Sequence, residues 1–407
     1  MHPIKKLYCR IYQAAFHAAL PLLPYREPKR FKTMELLEPE LQELGFSSVL
    51  IITDPFLYKS GITSSLENVL NRNRISFHIY ADTCANPTTD NVEEALRLYQ
   101  EYNCQCLIAL GGGSSMDCAK AVGARIAYPK RSLNQLKGTL RVLRKIPPLI
   151  AIPTTAGTGS EVTLAAVITD PNAHHKYTMN DFVLIPSYAV LDPELTFTLP
   201  PSLTATTGMD ALTHAVEAYI GRSTSKETRH MALKAVSLIF RNIETAYQNG
   251  TDRKARAHML HAAYFAGIAF SKSYVGYVHA VAHSLGGQYN TPHGLANSVL
   301  LPIVLETYGE RIHKKLHRLA IVAGVSTKLD SHKEGADKFI TAIRDLNKRM
   351  GIPETLPGIR KEDIPLMAKH ADKEANPLYP VPVLMNRTEL EQFYYKVADW
   401  REHDETR

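Results

Sequence analysis

The chain lacks the features that define several large classes of protein. Its 407 residues contain no uninterrupted apolar run of about 18 residues, the length that an ordinary transmembrane helix needs. Its 22 glycines and 24 prolines are scattered, and no heptad or other repeat is present, which excludes collagen-like, disordered and coiled-coil proteins. With 45% hydrophobic and 21% charged residues, the composition is that of a globular chain of two or three domains.

Cysteine is scarce, and the few that exist form no recognisable site. The five are Cys9, Cys84, Cys104, Cys106 and Cys118. Cys104 and Cys106 are spaced C-x-C, but nothing pairs with them as a zinc site would require. An odd, sparse set of this kind indicates reduced thiols, and we expect a cytoplasmic protein.

Acidic residues are almost absent from the first 32 positions, and this explains the basic character of the chain. That segment holds seven bases and one acid, so it carries +6 of the net charge of +7. The rest of the chain is nearly neutral, which predicts no binding of nucleic acid by the body of the protein.

Residues 1–30 form a basic extension whose pattern predicts an amphipathic helix ended by Pro21 and Pro24. Apolar residues recur at helical spacing at Ile4, Leu7, Tyr8, Ile11, Ala15 and Ala18, opposite Lys6, Arg10, Gln13 and His17. Through residues 1–24 such a helix could contact an anionic membrane surface, pack on the body of the protein, or pack on a second subunit. Packing on the body is the favoured interpretation. A transit peptide stays open, whereas polar interruptions disfavour a signal peptide.

From about residue 35, short apolar runs alternate with helical patterns. The predicted strands are 48–53, 75–80, 106–110, 149–152 and 189–191. This alternation predicts a parallel sheet covered on both faces. After Pro200 the strand-like runs stop and helical periodicity continues, so we place an α/β domain at 31–199 and an all-α domain at 200–407.

Two glycine-rich loops follow predicted strands. The first, 111–117 (GGGSSMD), precedes a helical run at 118–125; alone, it could be a tight turn without a ligand. The second, 153–161 (PTTAGTGSE), also follows a strand and precedes a helical pattern. Thr158 and Glu161 have the spacing of a capping box, which does not account for Thr154, Thr155 or Ser160. Together the loops predict a Rossmann-like dinucleotide site.

Asp54 ends the first predicted strand and bears on the choice of cofactor. Its carboxylate could accept hydrogen bonds from a ribose diol and would repel a 2′-phosphate, so NAD is favoured over NADP. The alternative is that Asp54, before Pro55, only starts a turn.

The second half of the chain clusters metal-binding side chains on segments that are otherwise poor in charge. Asp210 and His214 lie four residues apart on one helix face, as do His279 and His283, and His293 follows. A buried cation would compensate these groups. A site of three nitrogens and one oxygen without thiolate suits Fe2+ or Zn2+. No H-E-x-x-H glutamate is present, which argues against a zinc protease.

Four motifs give the chain a strong family resemblance. They are 111–117 (GGGSSMD), 153–161 (PTTAGTGSE), 208–217 (GMDALTHAVE) and 279–294 (HAVAHSLGGQYNTPHG). In this order they resemble the iron-containing (group III) alcohol dehydrogenases, from about Pro28 to Trp400. The resemblance implies an α/β NAD-binding domain, a helical metal domain, a cleft between them, and a homodimer or larger assembly.

The resemblance also assigns residues. The metal ligands would be Asp210, His214, His279 and His293, with His283 beside the metal as a proton relay or a support for a ligand. The substrate pocket would include Phe270. The cofactor-binding positions would be Asp54, Gly111, Gly112, Gly113, Ser114, Asp117, Thr154, Thr155, Thr158, Thr163, Lys176 and Leu195.

The activity implied is metal-dependent interconversion of small primary alcohols or diols and aldehydes with NAD(H). Alternatives within the fold are a hydroxyacid–oxoacid transhydrogenase and a polyol or glycerol dehydrogenase. A lyase of the dehydroquinate synthase kind is disfavoured, because Lys272 is the only base near the metal motifs. A metal-binding or membrane-surface scaffold without activity is the alternative from a different class.

Overall fold

The structure is a computed structural model that describes residues 1–171 and 175–400. Nine strands lie in this part of the chain. They are β1 Lys29–Phe31, β2 Ser48–Ile52, β3 Ser76–Tyr80, β4 Cys106–Gly111, β5 Gly138–Thr139, β6 Leu149–Pro153, β7 Ala165–Asp170, β8 His175–Asn180 and β9 Tyr188–Val190. The five strands predicted from sequence are confirmed as β2, β3, β4, β6 and β9.

Sixteen α-helices lie in the same described residues. They are α1 Pro3–Ala19, α2 Glu38–Leu44, α3 Pro55–Lys59, α4 Ser64–Arg72, α5 Thr89–Glu101, α6 Gly113–Ala127, α7 Leu133–Leu136, α8 Pro201–Ile220, α9 Lys226–Gln248, α10 Arg253–Ser273, α11 Tyr277–Tyr289, α12 His293–Tyr308, α13 His313–Ala323, α14 His332–Arg349, α15 Ile364–Ala375 and α16 Arg387–Val397.

The chain divides into two compact units. The sheet unit comprises Pro24–Leu199 and Gly250–Gly267, and the helical unit comprises Met1–Leu23, Pro200–Asn249 and Ile268–Arg407. The domains predicted from sequence were 1–30, 31–199 and 200–407, and this division stays a prediction. The two compact units group two segments differently. The first 23 residues belong to the helical unit, and the first part of α10 belongs to the sheet unit. Residues 401–407 of the predicted C-terminal domain lie outside the described residues.

The sheet unit is built on six parallel strands in the order β1-β9-β6-β4-β2-β3. The crossovers from β2 to β3 and from β4 to β6 run in opposite directions along the sheet. In such a sheet ligands bind beyond the carboxyl ends of the strands where the direction changes, here between β2 and β4. The edge strand β1 was not predicted, because three residues are too few for a periodic signal.

Side chains of the central strands alternate between two apolar cores. Leu50 and Ile52 face the core covered by α5 and α6, whereas Val49 and Ile51 face the core covered by α2 and α4. Strands β2, β4 and β6 are buried along their whole lengths, which is why they read in the sequence as continuous apolar runs.

The helical pattern predicted after the second glycine-rich loop is wrong. A single 3₁₀ turn, Ser160–Val162, follows the loop, and the chain then enters β7, which pairs antiparallel with β8 in a small second sheet. The Thr158–Glu161 capping box does not form. Thr158 Oγ1 instead accepts a hydrogen bond from the Ser160 N–H at 3.2 Å, and Gly159 adopts a left-handed conformation with φ +61°. That conformation stops a regular helix from starting at Thr158.

The helical unit confirms the predicted change of character after Pro200. Its largest packing contacts join α8 to α9, α13 to α14, α11 to α15 and α12 to α8. Helix α8 is buried along most of its length, which matches the apolar sequence around its acid and histidine. Across the described residues, no helix combines the length and the apolar character that spanning a bilayer would demand.

Candidate metal centre and cofactor loops

The two glycine-rich loops lie side by side at the carboxyl edge of the main sheet. Gly111 pairs in register with Pro153, and the Thr154 N–H donates to Gly111 O at 3.0 Å. A Cβ atom added at Gly113 would lie 2.7 Å from Thr158 Cγ2, so the loops interlock only because position 113 has no side chain. The predicted convergence of the two loops is therefore present, and the first loop includes the N-terminus of α6, which begins at Gly113.

Asp54 begins helix α3 at the edge where the strand order reverses. Its Oδ1 accepts the N–H groups of Phe56 and Leu57, each at 2.9 Å. Asp54 therefore has a structural role, as the N-cap of α3 rather than as the start of a simple turn. The capping bonds also hold the carboxylate in one orientation, and its contact with a ribose stays a prediction.

Lys120 is a buried cation that the sequence analysis missed. Its Nζ donates to Ser160 Oγ, Thr163 O, Thr163 Oγ1 and Ala165 O at 2.8–3.0 Å. Burial lowers the pKa of Lys120, and the carboxylates of Asp117 and Glu161 oppose that shift. Helix α6 is thereby tied to the second loop. The available signal was a lysine three residues after Asp117 in an otherwise apolar helical run.

Asp117 and Thr163, predicted as cofactor contacts, are engaged within the sheet unit. Asp117 accepts from Ser160 Oγ at 2.9 Å and from the Val167 N–H at 3.1 Å, while Thr163 accepts from Lys120. Burial raises the pKa of Asp117, and the charge of Lys120 lowers it. These bonds show that both side chains shape the loops. Direct cofactor contact stays a prediction for each.

The other predicted cofactor residues lie in the two loops, on β8 and in a 3₁₀ helix of the sheet unit. Ser114 Oγ accepts from the Asn86 N–H at 3.3 Å in the first turn of α6. Thr155 lies 3.5 Å from the position of a Cβ at Gly112. Lys176 is on β8, where burial lowers its pKa, and Leu195 is buried in a 3₁₀ helix.

Three helices of the helical unit bring the predicted metal ligands together. Asp210 and His214 lie on one face of α8, His279 is in the first turn of α11, and His293 is the first residue of α12. Ligand atoms of Asp210, His279 and His293 lie within 4.8 Å of one another. Residues far apart in sequence thus form one potential metal site.

His214 lies against this group. Its Nδ1 is 3.8 Å from Asp210 Oδ2, and its ring centroid is 4.3 Å from that of His279. Phe270 stacks on the His214 ring, with the two ring centroids 4.2 Å apart and an interplanar angle of 15°. Phe270, the residue predicted to line the substrate pocket, therefore adjoins the metal cluster.

The chemistry of the cluster fits a divalent cation. His214 Nδ1 and His279 Nε2 are buried and have no hydrogen-bond partner within the described residues. Burial is the main cause that lowers the pKa of both imidazoles, so they are neutral and present lone pairs at neutral pH. Buried nitrogens facing a carboxylate are costly without a partner, and a metal ion supplies one.

Glu217 is a second residue that the sequence analysis missed. Its Oε2 accepts from His279 Nδ1 at 2.6 Å and from the Gly276 N–H at 2.8 Å, and its Oε1 accepts from the Val278 N–H at 2.8 Å. Both Glu217 oxygens also accept main-chain N–H groups, which favours the carboxylate as acceptor and the His279 proton on Nδ1. His279 Nε2 then lies 3.8 Å from Asp210 Oδ1. Glu217 is seven residues after Asp210 and so shares its helix face, which was the available signal.

Asn297 and His283, the latter linked through Glu374 to Tyr379, also surround the metal-ligand cluster. Asn297 Nδ2 donates to Asp210 Oδ1 at 2.7 Å. His283 stacks on the ring of His293 at 5.1 Å, and its Nδ1 lies 2.7 Å from Glu374 Oε1. Tyr379 donates to the same Glu374 oxygen at 2.7 Å. His283 is thus beside the cluster, as predicted, and is oriented by a carboxylate.

A parallel sheet with two adjacent glycine-rich loops and a cluster of metal-ligating side chains are features typical of dinucleotide-dependent oxidoreductases that use a metal ion. Comparisons with known proteins narrow this class. Residues 31–193 match the family "Iron-containing alcohol dehydrogenase", and residues 204–398 match "Fe-containing alcohol dehydrogenase family, C-terminal". The chain belongs to the iron-containing alcohol dehydrogenase family, and it is an oxidoreductase.

Relatives of known name agree with this assignment. "Alcohol dehydrogenase 4" of Saccharomyces cerevisiae is 38% identical over 339 residues, covering 82% of this chain and 87% of the relative. "NAD-dependent methanol dehydrogenase" of Bacillus methanolicus is 36% identical over 333 residues, covering 81% and 87%. A crystal structure of 1,3-propanediol oxidoreductase superimposes with a TM-score of 0.88 at 35% identity, covering 92% of this chain and 99% of the other.

Proposed function

We propose that the protein interconverts small primary alcohols or diols and their aldehydes by hydride transfer with NAD(H), and that Asp210, His214, His279 and His293 hold the divalent metal. The convergence of one carboxylate and three imidazoles from three helices, with His214 and His279 buried, carries the proposal. The named relatives that act on methanol and 1,3-propanediol support a small substrate.

Neighbouring side chains orient the proposed metal ligands in the folded protein. Glu217 fixes the tautomer of His279, Asn297 orients Asp210, and Phe270 packs on His214. A bound divalent metal acts as a Lewis acid toward the alcohol oxygen. The family supports Fe2+, and the same donor set also suits Zn2+.

We assign proton transfer to His283. Its Nδ1 lies 2.7 Å from Glu374 Oε1 and its ring stacks on that of His293, so the imidazole is held beside the metal cluster, where it takes the proton that the alcohol hydroxyl loses. The side chain retains 27% exposure, so it can pass the proton to solvent. Tyr379 holds Glu374 in place. Support of a neighbouring ligand, His293, is the alternative role.

The glycine-rich loops and Asp54 support NAD as cofactor. A pyrophosphate would bind at the N-terminus of α6, beside the interlocked loops, and this supports a dinucleotide cofactor. The negative charge of Asp54 disfavours the 2′-phosphate of NADP. In Asp54→Gly, we therefore expect the preference for NAD over NADP to weaken.

The proposal is tested by reduction of NAD and NADP with a panel of alcohols, using protein as purified, chelated, and reloaded anaerobically with Fe2+ or Zn2+. We expect activity with small primary alcohols or diols, loss of activity on chelation, and recovery with one metal. Undiminished turnover in metal-free protein would refute the mechanism. Transfer between two substrates without release of NADH would instead identify a transhydrogenase.

We also propose a homodimer or larger assembly and a cytoplasmic location. The family resemblance supports self-association, and five free cysteines support a reducing compartment. Light scattering of the purified protein and fractionation of the source cells measure the two properties.

A further inference from the structure

Helix α1 packs on the helical unit with a mixed side that carries Cys9, Gln13 and Phe16, the last with its ring 5.0 Å from that of Tyr274. Cys9 and Gln13 are its buried residues, whereas its apolar residues Ile4, Leu7, Tyr8 and Ile11 keep 57–73% of their surface exposed. Self-packing, the favoured interpretation of this segment, is therefore present with an unexpected orientation. An amphipathic helix that packs on the core of its own protein usually buries its apolar face, whereas α1 leaves that face exposed.

Hydrogen bonds hold α1 in this orientation. Gln13 Nε2 donates to Pro377 O at 3.2 Å and to Tyr379 O at 2.7 Å. Arg10 donates to Val381 O and Pro382 O at 2.8 and 2.9 Å. These bonds satisfy the carbonyls of an irregular segment between α15 and α16. Turning α1 to bury its apolar face would break all four, so that face stays directed to solvent.

The exposed apolar side forms a continuous surface, which we call the α1 stripe. Its members recur every three or four residues and therefore share one side of the helix. They are Ile4, Leu7, Tyr8, Ile11, Ala15, Ala18 and Leu22. Leu22, just beyond α1, is 85% exposed. An apolar surface of this extent on a soluble protein marks a docking site.

The charge of α1 indicates what covers the stripe. Among the 17 residues of α1 there is no acid, and its bases are Lys5, Lys6 and Arg10. Lys5 pairs with Asp372 and Arg10 donates to main-chain carbonyls, so the exposed Lys6 contributes the least compensated charge. A second copy would bring an equally basic, acid-free helix against the first. An anionic bilayer attracts the bases and accepts the apolar residues. We propose that the α1 stripe docks the protein on the surface of membranes containing anionic phospholipid, with α1 lying in the plane of the interface.

This docking is independent of the proposed reaction, and the test uses the full chain. Cosedimentation is measured with vesicles of phosphatidylcholine alone and with 30% phosphatidylglycerol. The double variant Leu7→Ser/Ile11→Ser removes two stripe residues. The matched control, Leu329→Ser/Leu366→Ser, removes two exposed leucines elsewhere on the helical unit. All four side chains are exposed, so the melting temperature and the dehydrogenase rate in solution should be unchanged.

We expect the wild type and the control to bind the anionic vesicles, and the stripe variant to bind at least tenfold more weakly. Raising NaCl to 0.5 M should weaken binding, because screening reduces the attraction of the bases. A separate Tyr8→Trp variant should show a blue shift quenched by brominated lipid chains. Failure of the wild type to bind, equal binding by the stripe variant, or no blue shift would each overturn the proposal. A change in oligomer mass in the stripe variant, without vesicle binding, would show that a second copy covers the stripe.

Discussion

Glu217 shows how one buried side chain can organise a metal site without being a ligand. It accepts three N–H groups from the loop and first turn that begin α11, one of them on His279. A Cβ at Gly276 would lie 2.6 Å from Glu217 Oε1, so the approach depends on glycine at that position. The same contacts position the backbone of the turn and the tautomer of the imidazole.

We therefore expect Glu217→Gln to weaken metal binding by about 10–100-fold, because an amide cannot accept all the bonds that the carboxylate accepts. Competition with a fluorescent chelator measures the affinity. The control is Glu227→Gln, which removes an exposed carboxylate paired with Lys272 on the same unit. Surface ion pairs contribute little, so the control should bind metal like the wild type. Equal affinities of Glu217→Gln and wild type would contradict the assigned role.

At the scale of elements, the two glycine-rich loops act as one structure because Lys120 of α6 bonds to the loop after β6. Its four acceptors come from Ser160, Thr163 and Ala165. Gly159 approaches α10 so closely that an added Cβ would lie 2.7 Å from Ala263 O. The conformation of the second loop is thus determined by α6 on one side and by α10 on the other.

Lys120→Met tests this connection. The apolar side chain has similar length but leaves buried acceptors without a donor and removes a positive charge beside Asp117 and Glu161. We expect the free energy of unfolding to fall by roughly 2–4 kcal/mol and the KM for NAD to rise, with metal content unchanged. Urea denaturation, cofactor titration and elemental analysis measure the three effects. The exposed Lys130→Met should stay within about 0.5 kcal/mol of the wild type. Unchanged stability and KM in Lys120→Met would disprove the connection.

At the scale of the whole molecule, a metal at the candidate centre would join three helices of one unit. Its ligands would come from α8 and, more than 50 residues later, from the consecutive helices α11 and α12. None of these helices can assemble the site alone, so an ion held there would bind the folded unit and hardly bind the unfolded chain. Metal binding and folding of the helical unit should therefore be linked.

Removal of the metal should lower the melting temperature. At a free metal concentration 100 times its Kd, binding stabilises the folded state by about 2.7 kcal/mol, which corresponds to roughly 5–10 °C for a unit of this size. Differential scanning calorimetry of chelated and reloaded protein measures the change. His279→Ala, which removes one ligand, should melt at nearly the same temperature with and without metal. A melting temperature in wild type that does not respond to chelation would exclude the linkage.

The central strands and the helical character of the second half were predictable from sequence, because both depend on local patterns of apolar residues. Strands β2, β4 and β6 are buried on both faces and so appear as apolar runs, and the helical unit has clear helical periodicity. Asp210 and His279 were identified as candidate metal ligands because acids and histidines are rare on apolar helices. Each also has a histidine four residues later, on the same helix face. The errors arose where tertiary contacts outweigh local pattern. The second loop has a helix-like start but is held open by Gly159 and Lys120, and β1 exists only because it pairs with β9.

Sequence by itself determined which segments are strands and helices and which side chains are candidates for cofactor and metal, because periodicity and residue chemistry are encoded along the chain. Only the tertiary structure decided that Glu217 orients His279, that Lys120 joins the loops, and that α1 exposes its apolar side. Each depends on partners tens to hundreds of residues away, as Gln13 and Tyr379 show. A pattern along the chain reports that a helix has two faces; the packing of the folded molecule determines which face is buried.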